Sequence, residues 1–270
     1  MKYIFAGYCK TGTKSIGLAF KSLGYRVYDY EETMIFHCDE WLEILNPNTP
    51  TRRINQLLYQ MYKDIDVVCD APAFLFWEQI LQVFPEAKAI FYERDIEKWY
   101  PSWVKQNQSL ASLLRLPDII QRPLLYLLVP TLYKNGLLSD QIFLRFFAST
   151  LRPRKRLSGE FFVIPEIHAR NHYKMHNANF LKNCPNNRRL VIKKFGDWRE
   201  LCDFIGLEEL PDYEFPHENQ GGSIVDKTLE GNGTMGTAEE SLAKTIKREF
   251  LTRLIFLIVF ALAFFIMILS

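Results

Sequence analysis

The sequence has no excess of either charge: 33 lysine and arginine residues stand against 31 aspartate and glutamate residues, for a net charge of +2. Proteins that bind nucleic acids normally concentrate basic residues, so this composition gives no support for a nucleic-acid partner. The sequence is also poor in cysteine, with an odd number, five, and no closely spaced pair. Free thiols in a reducing compartment are therefore expected at Cys9, Cys38, Cys69, Cys184 and Cys202.

Uninterrupted apolar runs long enough to cross a bilayer are absent until residues 254–269. With the four preceding residues added, a helix over 250–269 reaches about 30 Å, the thickness of the hydrocarbon core. We therefore predict a transmembrane helix at 250–269 that anchors the chain by its C-terminal end, with a buried core helix as the alternative. Residues 218–249, rich in glycine, asparagine, threonine and glutamate, are predicted to form a flexible linker.

Two further observations orient this predicted anchor. No stretch typical of a signal peptide precedes the first predicted strand, so the preceding domain is expected in the cytosol. Basic residues just before the apolar run favour the same orientation: Lys244, Lys247, Arg248 and Arg253. The sequence does not indicate which organelle would receive the anchor.

A short glycine-rich segment near the start of the chain predicts an anion site. The apolar run Tyr3–Ala6 precedes Gly7–Ser15, and an amphipathic stretch follows it, so the order is strand, loop, helix. Backbone N–H groups at a helix N-terminus have no partners within the helix and carry the positive end of its dipole. The loop is therefore expected to bind phosphate, with Lys10 and Lys14 adding positive charge.

Strand-like and helix-like segments alternate after this loop. Strands are predicted at 26–28, 65–70, 88–92 and 189–193, and helices at 74–84 and 198–206. Such alternation is typical of α/β proteins with a parallel sheet, which bind ligands at the C-terminal edge of their strands. We predict a P-loop three-layer sandwich with a central parallel sheet over residues 1–217, with a helical insertion at 110–175.

The loop and several later motifs together resemble the P-loop sulfotransferases. In nucleotide hydrolases and kinases the loop lysine directly follows the second glycine, whereas here Thr13 intervenes. The segment Lys10–Ser15 instead fits the sulfotransferase loop, in which a lysine lies two places before the glycine. The motifs that share the family's order and spacing include Asp70-Ala71-Pro72, Phe84–Lys88, Arg94–Trp99, Ser102, Gly196-Asp197-Trp198 and Phe215–Asn219. Within the family, the chain looks most like a branch of invertebrate and microbial proteins of unassigned substrate.

This resemblance implies transfer of a sulfuryl group from 3′-phosphoadenosine 5′-phosphosulfate (PAPS) to a hydroxyl or amine. It implies that Lys10 stabilises charge on the leaving oxygen. The remaining loop residues would supply backbone and hydroxyl donors to the phosphosulfate: Thr11, Gly12, Thr13, Lys14 and Ser15. Arg94 and Ser102 have the family's spacing for binding the 3′-phosphate. The alternative for Arg94 is a salt bridge with Asp95 or Glu97.

The acceptor must also lose a proton. Asp70 ends a predicted strand among apolar neighbours that would raise its pKa, so it is the predicted base, while helix capping is its alternative role. His37 is the second candidate for the base. His168, His172 and His176 recur every four residues, but no further ligand completes a zinc site, so no metal is predicted.

The apolar segment 110–147 suggests an apolar or amphiphilic acceptor, a small molecule or a lipid, with ordinary core packing as the simpler alternative. Two other functions stay open at this point. One is a P-loop kinase or nucleotide hydrolase. The other is a non-catalytic nucleotide-binding protein of the same fold, anchored to a membrane.

Overall fold

Five short parallel strands form one sheet in the computed structural model, which describes residues 1–112, 126–147, 165–217 and 237–269. The order across the sheet is β2–β3–β1–β4–β5, so the first strand of the sequence lies in the centre. β1 pairs with β3 on one side and with β4 on the other. The strands are β1 (Tyr3–Phe5), β2 (Val27–Tyr28), β3 (Val67–Val68), β4 (Lys88–Phe91) and β5 (Arg189–Val191).

Helices connect these strands, as parallel pairing requires a crossover for each connection. They are α1 (Thr13–Ser22), α2 (Tyr30–Phe36), α3 (Cys38–Leu45), α4 (Thr51–Tyr62), α5 (Trp77–Val83), α6 (Ile96–Ser112), α7 (Pro130–Phe147), α8 (Glu166–Asn183), α9 (Trp198–Ile205) and α10 (Thr237–Leu269). Short 3₁₀ turns at Ala73–Phe76 and Asn186–Arg188 precede α5 and β5. The strands and helices predicted from the alternating pattern are confirmed, with ends that differ by a few residues.

Helices cover both faces of the sheet because successive strand side chains point to opposite sides. On one face, Phe5 and Val67 pack with apolar residues of α1 and α9, such as Phe20 and Leu201. On the other face, Ile4 and neighbouring strand residues pack with helices α2–α8. The predicted α/β fold with a central parallel sheet between two helical layers is therefore confirmed.

The predicted helical insertion at 110–175 is described only in part. Residues 113–125 and 148–164 lie outside the described ranges, and the rest includes α7 and the first half of α8. Leu138 and Ile142 of α7 are buried in the main core, and α7 packs against α3. These two side chains therefore contribute to core packing.

The segment predicted as a linker followed by a membrane anchor is, from Thr237 onwards, a single helix in the structure. One helix, α10, runs over 33 residues from Thr237, so residues 237–249 are helical where a flexible linker is predicted. Its first half contacts the domain: Glu249 accepts hydrogen bonds from the backbone N–H and the hydroxyl of Thr131, and Arg253 donates to the Leu127 carbonyl.

No helix within the described ranges is long and apolar enough to cross a membrane. The transmembrane helix predicted at 250–269 is therefore not supported. That prediction began the helix at residue 250, whereas the structure begins it at Thr237, and Arg253 inside the predicted span donates to the Leu127 carbonyl.

Candidate functional site

The glycine-rich loop connects the C-terminal end of β1 to α1, as the sequence predicts. Gly12 immediately precedes α1 with φ of 96°, a left-handed conformation that favours glycine. A Cβ atom at Gly12 would also overlap the ring of Phe195. No side chain caps the start of α1, and its first turn carries no acidic residue. The first N–H groups of a 10-residue helix thus face a site that suits an anion.

Side chains from α6, α8 and the segment before α6 hold the carbonyl oxygens of the loop. His176 Nε2 lies 2.8 Å from the Ala6 oxygen, Trp99 Nε1 donates to the Cys9 oxygen at 2.9 Å, and Arg94 donates to the Lys10 oxygen at 2.8 Å. In a trans peptide the next N–H points opposite to the carbonyl. The amide of Lys10 therefore faces away from these helices.

Lys10 lies at the turn of the loop with φ of 67°, an uncommon conformation for a residue with a side chain. Its ammonium group donates to Gln106 Oε1 of α6 at 3.3 Å. Burial lowers the pKa of Lys10, while the nearby carboxylate of Asp70 acts in the opposite direction. The loop therefore holds a partly desolvated cation whose electrostatic partner is the predicted base.

Asp70 follows the end of β3 and is 8% exposed. Its Oδ2 accepts a hydrogen bond from the Thr13 hydroxyl at 2.9 Å, and its Oδ1 accepts one from the Ala71 N–H at 2.7 Å. Burial raises its pKa, while Lys14 lowers it. The predicted base is thus a buried carboxylate that is hydrogen-bonded to the first residue of α1.

Lys14 differs from its expected position. Its ammonium group is buried against Asp29 and Glu31 of the β2–α2 region, with 2.8 Å between Nζ and Asp29 Oδ2. Burial opposes the charge of this ammonium, but the two carboxylates raise its pKa overall. The sequence predicts that Lys14 contributes positive charge to the anion site. In the structure its ammonium group instead lies in the protein interior, paired with Asp29 and Glu31.

Asp29, Glu31 and Glu32 form a group of carboxylates whose oxygens lie within 4.8 Å of one another. Over the described ranges it is the one group of three or more side chains with such metal-ligand spacing. Lys14 forms salt bridges with Asp29 and Glu31, and Lys21 forms one with Glu32. Two ammonium groups of the protein thus pair with the three carboxylates of this cluster.

Arg94 and Ser102 lie on either side of the start of α6. The carboxylates considered as salt-bridge partners for Arg94 are engaged elsewhere: Asp95 accepts from the first N–H groups of α6, and Glu97 pairs with Arg170. Arg94 is instead bound to the loop carbonyl of Lys10. Ser102 lies within α6 and is half-buried.

His37 lies between α2 and α3. Its ring contacts Tyr28 and Tyr62, and Glu40 lies 3.9 Å from its Nδ1, so its described contacts do not include the loop. Burial lowers its pKa. The structure brings Lys10, Thr13, Asp70 and Arg94 together but gives His37 no contact with them.

A family model described as "Sulfotransferase domain" matches residues 2–224, which includes the loop, the sheet and helices α1–α9. The chain belongs to the sulfotransferase-domain family. It is also 24% identical over 229 residues to "Ava biosynthesis cluster protein M" of Aspergillus versicolor, a match that covers 80% of each chain. That name specifies no reaction, so the family assignment depends on the first match.

The sequence does not predict which residues hold the loop of this sulfotransferase-domain protein. Trp99 and Tyr173 stack at 4.3 Å beneath it, and the Tyr173 hydroxyl donates to the Arg94 carbonyl at 2.6 Å. His176 is noticeable in the sequence for its four-residue spacing from two other histidines and for the resemblance of His176-Asn177 to the family, neither of which indicates a contact with the loop. Its contact with Ala6 spans 170 residues, a separation that no local pattern indicates.

The burial of His176 makes stability depend on pH. Burial lowers the pKa of this histidine to about 4, from an ordinary value near 6.5. Between these values the unfolded chain binds a proton that the folded protein excludes, so acidification favours unfolding. Lowering the pH from 7 to 5 should therefore cost about 2 kcal/mol at this residue.

Urea unfolding at pH 7, 6 and 5 measures this dependence. His176→Gln keeps a donor for the Ala6 carbonyl but does not titrate, so its stability should fall less steeply than that of the wild type. His168→Gln, on the same helix, serves as the control and should follow the wild type. Equal slopes for the wild type and His176→Gln would contradict the prediction.

Proposed function

We propose that this chain transfers a sulfuryl group from PAPS to a hydroxyl or amine of a small-molecule or lipid acceptor. The observation that carries the proposal is the convergence of Lys10, Asp70 and Arg94 on one loop at the start of α1. Each supplies what the reaction needs: a cation for the leaving group, a base for the acceptor and a guanidinium for a second phosphate. The family match supports sulfate transfer in general.

The proposed reaction is a single displacement at sulfur. The acceptor oxygen or nitrogen forms a bond to sulfur as the bond between sulfur and the bridging oxygen breaks. Adenosine 3′,5′-bisphosphate (PAP) leaves with the electron pair, and its growing negative charge is stabilised by Lys10 and by the N–H groups of α1. Asp70 accepts the acceptor's proton.

Asp70 suits this step because its environment favours proton uptake. Burial raises its pKa and so makes the carboxylate a stronger base. The Thr13 and Ala71 donors keep its two oxygens oriented without transferring a proton to them. Its hydrogen bond with Thr13, the first residue of α1, supports a base beside the proposed phosphosulfate site.

The position of Lys14 argues against a P-loop kinase or nucleotide hydrolase. In those proteins the lysine at the start of the helix contacts the β- and γ-phosphates. Lys14 is instead enclosed by Asp29 and Glu31. A triphosphate would therefore lack its usual lysine partner here.

Two measurements test the proposal. Calorimetry should show tighter binding of PAP than of ATP, because Arg94 gives the 3′-phosphate a partner that ATP does not use. Incubation with [³⁵S]PAPS and fractionated lipid and small-molecule extracts should then label an acceptor. Asp70→Asn should bind PAP normally but transfer sulfate about 10²-fold more slowly.

Asp66→Asn is a matched control, since Asp66 lies just before β3, at the opposite end from Asp70, and pairs with Lys2 and Arg26. It should transfer sulfate at the wild-type rate. Binding of ATP in preference to PAP would favour the kinase alternative. PAP binding without any labelled acceptor, unaffected by Asp70→Asn, would favour a non-catalytic binding protein.

A further inference from the structure

The Arg94 guanidinium contacts the backbone of the residue proposed to stabilise the leaving group. Its NH1 donates to the Lys10 carbonyl oxygen at 2.8 Å, across 84 residues of sequence. Over the described part of the chain, this carbonyl is the hydrogen-bond acceptor of the Arg94 side chain. A guanidinium carries five N–H groups, so most of its donors remain for a ligand.

Lys10 needs such support because of its backbone conformation. A left-handed residue other than glycine is strained and persists only where the surroundings fix it. Two consecutive carbonyls are fixed here, that of Cys9 by Trp99 and that of Lys10 by Arg94. Without the second contact, the peptide after Lys10 keeps the hydrogen bond from the Thr11 N–H to the Tyr8 carbonyl, at 3.1 Å, but the Lys10 carbonyl loses its partner. The backbone conformation that directs the Lys10 ammonium group is then less firmly fixed.

Arg94 is itself well anchored for this task. The Tyr173 hydroxyl donates to the Arg94 carbonyl at 2.6 Å, and the Tyr173 ring stacks on Trp99 at 4.3 Å. The backbone of Arg94 is thus held by the same pair of aromatic residues that supports Cys9. Loop and arginine form one connected unit.

We propose that Arg94 is a positioning residue for Lys10, so that one guanidinium both receives the donor's 3′-phosphate and presents the Lys10 ammonium group to the 5′-phosphosulfate. This inference rests on the proposed function. It goes further, because it predicts that Arg94 also affects the affinity for a ligand that has no 3′-phosphate. Recognition of one end of the donor thereby stabilises the catalytic arrangement at the other.

Binding of PAP and 5′-AMP to the wild type, Arg94→Ala, Lys10→Ala and the double variant tests this role. Ligand-observed NMR competition gives access to millimolar affinities. Arg94→Ala should weaken 5′-AMP binding about tenfold, although this ligand has no 3′-phosphate, because the Lys10 backbone that directs the ammonium group loses its arginine contact. In the Lys10→Ala background the same substitution should weaken 5′-AMP binding by about threefold or less. PAP binding should lose a further factor of about ten with Arg94→Ala in both backgrounds.

The outcomes separate the inference from the proposed function. Weak PAP binding by the wild type, no tighter than that of 5′-AMP, would overturn the proposed function and this inference with it. If the wild type binds PAP more tightly than 5′-AMP, but Arg94→Ala binds 5′-AMP as tightly as the wild type does, the inference alone is overturned. Equal losses in both Lys10 backgrounds would mean that Arg94 supports the fold of the loop rather than Lys10, and would also overturn it. Arg170→Ala, which removes a half-buried arginine paired with Glu97, should match the wild type for both ligands.

Discussion

Replacement of Lys10 by alanine should lower kcat for sulfate transfer by about 10²–10³-fold, the effect of removing one preorganised donor from a developing negative charge. The charge on the bridging oxygen grows as the sulfur–oxygen bond breaks, so the ammonium group matters more in the transition state than in the bound donor. The KM for PAPS should rise by a smaller factor. Rates at saturating [³⁵S]PAPS, with the acceptor identified by labelling, measure this loss.

Lys105→Ala is the matched control for this experiment. Lys105 is exposed on α6, next to the Gln106 side chain that accepts from Lys10. Its removal should leave kcat within about twofold of the wild type. If Lys10→Ala transfers sulfate as fast as the wild type, the proposed role of this lysine is wrong.

Lys14→Met should lower the free energy of unfolding by about 3–5 kcal/mol, because it leaves two carboxylates buried without their ammonium partner. Burial and the charge of Asp29 already raise the pKa of Glu31, which shows how poorly this region tolerates a second negative charge. Denaturant unfolding at pH 7 measures the loss. The fraction that remains folded should bind PAP with nearly wild-type affinity, since the ammonium group faces away from the anion site.

Neutralising the partners tests the cause. The triple variant Lys14→Met, Asp29→Asn, Glu31→Gln has no charge at these positions and should regain most of the lost stability, with asparagine preserving the cap of α2. Lys21→Met removes a partly exposed lysine that pairs with Glu32 and should cost less than about 1 kcal/mol. A Lys14→Met protein as stable as the wild type, or one that folds normally and no longer binds PAP, would contradict this account.

Local sequence patterns predict the sheet and the loop because each strand, and the loop itself, is encoded by a short continuous segment. Apolar runs between polar turns indicate the strands, and the strand–glycine–helix order indicates the anion site at the end of β1. The rule that ligands bind at the C-terminal edge of parallel strands also predicts that Asp70 lies near the loop. The hydrogen bond between Asp70 and Thr13 agrees with this expectation.

Contacts that depend on the order of strands could not be predicted in this way. Lys14 meets Asp29 because β2 lies on the same side of β1 as β3, which the sequence does not reveal. Arg94, Trp99 and His176 reach the loop carbonyls across 84–170 residues. Helix α10 shows the same limitation, since its apolar composition gives no information about the contacts of Glu249 with α7.

The central position of β1 has a consequence for how the protein is made. Translation produces β1 and its loop before β3 and β4, which are the neighbours of β1, and before His176, which binds the Ala6 carbonyl. A nascent chain that ends before α8 therefore lacks part of what holds the loop. The anion site, although encoded in one short segment before β2, can be completed only after α8 has been synthesised.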